Sequence, residues 1–215
     1  MRILVMAPHP DDEVLGCGGT IKKYSSQGDE VFLCIATKAY TPDWSEDFLE
    51  KRKKEIASAG EILGIKETFF LDLPTVKLDT VPQKTINDFV KETIGKANPE
   101  AIFLPFEGDI NKDHKLIFNA AMLACRTSRR IKTILSYEVL SETEWGDVPF
   151  IPNMYVDIED FLEDKLKAMA CYGSELKEFP HPRSLEGIKV LSRKRGAESG
   201  LLAAEAFVVK REIIK

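Results

Sequence analysis

Ile3-Leu4-Val5-Met6 runs directly into Ala7-Pro8-His9-Pro10-Asp11-Asp12-Glu13-Val14-Leu15, and this join decides how the chain is read. Four consecutive apolar residues before a proline-rich turn read as a buried strand. The turn then places one imidazole and two adjacent carboxylates at the strand's carboxyl end, just before a helix. In an open α/β sheet that edge is where ligands bind. A histidine with nearby aspartates there is the hardware of a zinc site with a general base beside it.

Outward from this join, strands and helices alternate. Residues 12–27 read as a helix stopped by Gly28, and 30–37 as a β-branched, aromatic strand. Residues 45–63 form a charged amphipathic helix closed by Gly64, with acidic residues early and basic residues later, as the helix dipole prefers. Short strands are expected at 68–71 and 101–105, with a helix at 80–96 between them. A polar loop over 106–112 leads into a helix at 113–125. Strands follow at 132–139, 155–158 and 206–209, with helices at 159–172 and 184–195. The alternation predicts a Rossmann-like, doubly wound, mostly parallel sheet with helices on both faces, in one domain over residues 1–215. Pro149, Pro152, Pro180 and Pro182 mark a later region expected to shape the pocket.

The gross composition excludes several classes. With 215 residues, 44% of them hydrophobic and 30% charged, the chain can build a sizeable core. A net charge of −5 argues against broad binding to nucleic-acid backbones. No stretch approaches the roughly 18–20 apolar residues of a membrane span, and no secretory pattern opens the chain. Cys17, Cys34, Cys125 and Cys171 are scattered and form no C-x-x-C, so neither a disulfide framework nor a cysteine zinc cluster is expected. A cytoplasmic protein with reduced thiols is the expectation, and Cys17 reads as a small packing residue.

Chemistry narrows to few residues, because the chain has three histidines: His9, His114 and His181. His114 follows the 101–105 strand. In a doubly wound sheet the first and fourth strands can lie side by side at the switch point, which would let His9, Asp12 and His114 share one Zn²⁺ ion. Asp11, pointing elsewhere, is then free to take a proton from water attacking a carbonyl. The competing reading makes Asp11-Asp12 a helix N-cap. Pro-His-Pro before the pair and Asp113-His114 at a second strand end weigh against it. Gly16-Cys17-Gly18-Gly19 lacks G-x-G-x-x-G spacing, so it reads as close helix–sheet packing and not as a dinucleotide loop. That also counts against a nucleotide-dependent oxidoreductase. A non-catalytic glycan- or nucleotide-binding module remains a second reading.

Pro8-His9-Pro10-Asp11-Asp12-Glu13 with Leu15-Gly16-Cys17-Gly18-Gly19 resembles the signature of the PIG-L/LmbE family of zinc-dependent N-deacetylases. Supporting stretches are Arg52-Lys53-Lys54-Glu55, Asp109-Ile110-Asn111-Lys112-Asp113-His114, and Arg195-Gly196 with Ala204-Glu205-Ala206-Phe207. The resemblance implies a Rossmann-like fold and removal of an N-acyl group, usually acetate from an N-acetylglucosamine-type sugar. It implies His9, Asp12 and His114 as zinc ligands, Asp11 as general base, and assembly into a homo-oligomer, trimer or hexamer. One departure stands out. Many members carry His-Pro-Asp-His where this chain has Asn111-Lys112-Asp113-His114. Asn111 can donate a neutral hydrogen bond but cannot act as an imidazolium acid, which leaves Asp11 or His181 to protonate the leaving amine. The Asn111 form resembles members linked to sugar-nucleotide or surface-glycan pathways, so a glycan precursor is the leading substrate, with other N-acyl amides behind it. Arg52, Arg126, Glu138 and Trp145 are candidates to line the sugar pocket.

Overall fold

The computed structural model describes residues 1–214. Its elements in chain order are β1 (Arg2–Ala7), α1 (Asp12–Ser26), β2 (Glu30–Lys38), α2 (Glu46–Leu63), β3 (Glu67–Pro74), α3 (Gln83–Ala97), β4 (Ala101–Pro105), α4 (Lys112–Cys125), β5 (Thr133–Tyr137), β6 (Met154–Asp157), α5 (Leu162–Cys171), α6 (Leu185–Ser199) and β7 (Ala204–Glu212). The sheet order is β3-β2-β1-β4-β5-β7-β6. The first five strands are parallel, while β7 runs antiparallel to both β5 and β6. Strands β1 and β4 are neighbours, with Ile3 opposite Ala101 and Val5 opposite Phe103, so the chain reverses its winding between them. That is the crevice the sequence singled out.

Alternation along β1 explains the two-sided burial. Ile3, Val5 and Ala7 face a core built with α1, α2, α5 and α6. Leu4 and Met6 face a second core built with α3 and α4. Both faces of the central strands are covered, which is why they read as unbroken apolar runs.

Some boundaries moved for local reasons. The third helix begins at Gln83 and not at residue 80, because Pro82 occupies its N-cap. The helix expected at 159–172 opens as a single 3-10 turn before α5. The last strand is longer than expected, since it pairs on both edges.

The glycine run behaves as a packing device. A Cβ on Gly16 would collide with the Tyr137 ring, and one on Gly19 would lie 2.9 Å from Ile158. Helix α1 is broken between them, at Cys17, whose φ is −146°. The break frees the amides of Gly19 and Thr20, which donate to the Glu205 carboxylate at 2.9 and 2.7 Å. Lys165 neutralises that carboxylate at 2.6 Å and also donates to the Leu15 carbonyl. Glu205 on β7 thus caps the second half of α1 and anchors the helix that follows the β1–α1 turn.

Candidate active site

The β1–α1 turn and the start of α4 meet across the switch point. His9 Nδ1, Asp12 Oδ2 and His114 Nε2 converge, all within 4.8 Å of one another. The separations are 3.2 Å between the two ring nitrogens, 3.4 Å from His9 to Asp12, and 3.3 Å from His114 to Asp12. A tetrahedral ion about 2.0–2.1 Å from each donor holds its ligands roughly 3.4 Å apart, so the triangle has the size of a Zn²⁺ coordination face. Two imidazoles and a carboxylate also suit zinc chemically and leave one position open.

Each imidazole is oriented by a carboxylate behind it. Asp109 Oδ2 lies 2.7 Å from His114 Nδ1, and Thr143 donates to the other oxygen of Asp109. Asp113 Oδ2 lies 3.0 Å from His9 Nε2 and also accepts the Val76 amide at 2.8 Å. Such carboxylate–histidine pairs set the tautomer that presents the remaining nitrogen to a cation. Burial by itself would lower both histidines. The bonds to Asp113 and Asp12 outweigh it at His9, raising it to about 9. At His114 the charge of Asp12 and the bond to Asp109 raise it to about 10. Burial would raise Asp12, but the two imidazoles hold it far below the usual carboxylate range.

Asp11 is built differently. It adopts a left-handed backbone with φ of 112°, rare for a residue with a Cβ. Its amide donates to Glu13 Oε2, and the Tyr172 hydroxyl donates to Glu13 Oε1 at 2.6 Å. The Asp11 side chain caps nothing at the start of α1, so the N-cap reading fails for it. Its Oδ2 is buried without a hydrogen-bond partner, with Arg183 Nη1 at 3.6 Å. Burial and then the neighbouring Asp12 charge push its pKa well above the usual carboxylate value. A buried carboxylate that has an unused lone pair and a raised affinity for protons is equipped to receive one.

A cavity of about 460 Å³ opens over His9, Asp11 and Asp12. Asn111 lines it, with its Oδ1 spent on the Asp113 amide at 3.0 Å, so the Nδ2 donor is left over. Arg52 also lines it, donating to the Pro10 carbonyl at 3.2 Å and to Glu175. Glu175 in turn accepts from Arg183 at 3.0 Å.

Four residues expected in the pocket are not among those lining it. Arg126 sits at the far end of α4, about 20 Å from its start at ~1.5 Å per residue, and donates to the Leu123 carbonyl. Glu138 is consumed by a two-pronged pair with Arg195 at 2.7 and 2.6 Å. Trp145 is 69% exposed. The ring of His181 accepts the Arg183 amide within its own turn. The proline-punctuated region does reach the cavity, but through Arg183. Sequence reasoning gave Asp109, Asp113, Glu175 and Arg183 no role. The two aspartates flank His114 inside a quoted motif, whereas nothing local marks Glu175.

What a spare buried carboxylate beside three converged donors can do is activate water, which defines the class as a hydrolase. The chain belongs to the PIG-L family: the family model described as GlcNAc-PI de-N-acetylase matches residues 4–125, a span holding every residue of the convergence. It is similar to the uncharacterized deacetylase YaiS of Escherichia coli strain K12, with 28% identity over 176 residues, covering 78% of this chain and 88% of the relative. Diacetylchitobiose deacetylase of Thermococcus kodakarensis is 28% identical over 189 residues, 82% of this chain and 71% of that one. Among solved structures, the conserved protein TT1542 from Thermus thermophilus superposes with a TM-score of 0.83 at 28% identity, covering 100% of this chain and 97% of that one. The N,N'-diacetylchitobiose deacetylase of Pyrococcus horikoshii gives 0.79 at 24% identity, covering 97% and 83%, a likeness of fold. The chain is a deacetylase of this family.

Proposed function

We propose that the chain removes the N-acetyl group from an N-acetylglucosamine-type sugar or sugar nucleotide, as a zinc-dependent enzyme of glycan-precursor metabolism in the cytoplasm. The observation that carries the reading is the meeting of His9, Asp12 and His114 beside the unpartnered Asp11. These three residues would hold Zn²⁺. When bound, the ion would polarise the acyl oxygen and acidify water.

The chain's own residues supply the rest. Asp11 takes a proton from the attacking water with its free Oδ2. Glu13 and Tyr172 hold the backbone that aims it. Asn111 turns its unused amide donor on the acyl oxygen as negative charge gathers there. With His181 outside the cavity, Asp11 returns the proton to the leaving amine, acting as base and then acid. Arg52 offers its guanidinium to sugar hydroxyls. A pure binding module has no use for a buried carboxylate oxygen that accepts no hydrogen bond, which disfavours that reading. A single domain and a homo-oligomer remain part of the proposal.

The test is acetate release from N-acetylglucosamine, diacetylchitobiose and a sugar nucleotide carrying N-acetylglucosamine, before and after chelation and with Zn²⁺ restored. Release that stops on chelation and returns with zinc is the expected result. Release from none of them under zinc would refute it.

A further inference from the structure

We propose that Glu175 is a positioning residue that holds Arg183 back from Asp11, so that the Asp11 carboxylate stays turned toward the attacking water. The proposal deepens the deacetylase reading above and rests on it.

The need for such a tether follows from two groups that do not meet. Asp11 Oδ2 and Arg183 Nε are both buried without a hydrogen-bond partner among the described residues. Arg183 Nη1 stands 3.6 Å from that same Oδ2. A guanidinium and a carboxylate in contact settle at about 2.7–2.9 Å, often through two parallel bonds. Glu138 and Arg195 do so in this chain, at 2.7 and 2.6 Å. Leaving a buried donor and a buried acceptor unmatched is costly, so a specific contact has to oppose the closing of the gap.

Glu175 supplies that contact. Its Oε2 accepts from Arg183 Nη1, the nitrogen that faces Asp11, at 3.0 Å. Its Oε1 accepts from Arg52 Nη2. Arg52 Nη1 donates in turn to the Pro10 carbonyl at 3.2 Å, one residue before Asp11. One carboxylate therefore restrains the arginine beside the Asp11 side chain and steadies the arginine on the Asp11 backbone.

Both ends of the tether are anchored. Beside Glu175, the Ser174 amide and hydroxyl donate to Glu55 of α2 at 3.1 and 2.8 Å. At the other end, the Arg183 amide donates to the His181 ring at 3.1 Å. The next residue, Ser184, caps α6 by accepting the Gly187 amide at 2.9 Å. With both backbones held, the approach of Arg183 to Asp11 is left to side-chain torsions, and those are what Glu175 restrains. A two-pronged pair with Arg183 would engage both Asp11 oxygens and draw the carboxylate away from water. At 3.6 Å the cation lies close without occupying it.

The experiment compares zinc-loaded wild type, Glu175→Gln and the double variant Glu175→Gln, Arg183→Met. The two side chains are 23% and 26% exposed, so both variants are expected to fold. Glu175→Gln is expected to lower kcat for acetate release about ten- to a hundredfold, with KM and zinc content unchanged. The double variant lacks the arginine that would swing in, and is expected to be faster than Glu175→Gln. A double variant no faster than Glu175→Gln would overturn the proposal, as would a loss that appears in KM or in zinc content. Crystal structures give a readout independent of turnover. In Glu175→Gln, Arg183 is expected within hydrogen-bond distance of Asp11, and a gap as wide as in the wild type would overturn the tether. If no N-acetylated sugar yields acetate with any of the proteins, the deacetylase reading fails, and these structures still decide the tether.

Discussion

Asp113 Oδ2 stands 3.0 Å from His9 Nε2, and this contact decides which nitrogen of His9 faces the cation centre. Asp113→Asn keeps the shape but removes the charge that favours Nδ1 as ligand. Zinc affinity is expected to fall about 10- to 100-fold, the usual cost of losing such a partner. Competition against a chromophoric chelator reads this directly, and an unchanged dissociation constant would show that Asp113 serves only the Val76 loop.

Asp11 and His114 are expected to separate chemistry from metal retention. Asp11→Asn should hold a full complement of zinc while turnover drops about a hundred- to ten-thousandfold. His114→Ala removes a donor from the triangle and should not retain stoichiometric zinc after dialysis. Metal analysis beside acetate release distinguishes the two, and wild-type rates in Asp11→Asn would remove it from the mechanism.

Metal uptake should expel protons. Without a cation, His9 and His114 are both raised, to about 9 and about 10, and their facing ring nitrogens lie 3.2 Å apart, so the pair shares at least one proton at neutral pH. Both must be neutral to ligate, so at least one proton should leave per zinc bound near pH 7. Calorimetry in buffers of different ionisation enthalpy measures the number. The sign for stability follows from the same shifts. Because the folded pKa values exceed the ordinary 6.5, the two groups stabilise the metal-free fold fully below pH 6.5. That contribution is lost as pH rises through about 9 to 10. The melting temperature of the metal-free protein should fall across that window, and a rise there would contradict the assignment.

Glu205→Gln should destabilise strongly despite its distance from the chemistry. Lys165 is 2% exposed and would lose its counter-charge, a change that costs about 3–5 kcal/mol in buried pairs. The doubly substituted Lys165→Met, Glu205→Gln protein should recover part of the loss. Urea unfolding of the three proteins tests both statements, and equal midpoints for wild type and Glu205→Gln would dismiss the ion pair as an anchor.

Much of the fold was legible because β1, β2 and β4 are covered on both faces and so spell apolar runs. The centre was legible for a related reason. The groups that converge lie in the turn after β1 and in the first turn of α4, where His9, Asp12 and His114 are marked by prolines, loops and adjacent acids. Arg126, Glu138 and Trp145 carried no comparable mark. Residue type alone suggested them, and residue type does not say which way a side chain points. Glu138 illustrates the gap: its charge was visible, but its partner Arg195 lies 57 positions away.

By itself the sequence determined the alternating architecture, the donor set and the spare acid, because periodicity and chemical type are local properties of the chain. Only the tertiary structure decided that Asp109 and Asp113 orient the imidazoles, that Glu205 caps a broken helix, and that Glu175 joins two arginines beside the base. Those relationships depend on directions and distances between elements far apart in the chain, which no local pattern encodes. The physical reason is packing: a buried polar group must find its partner wherever the folded core brings one within reach.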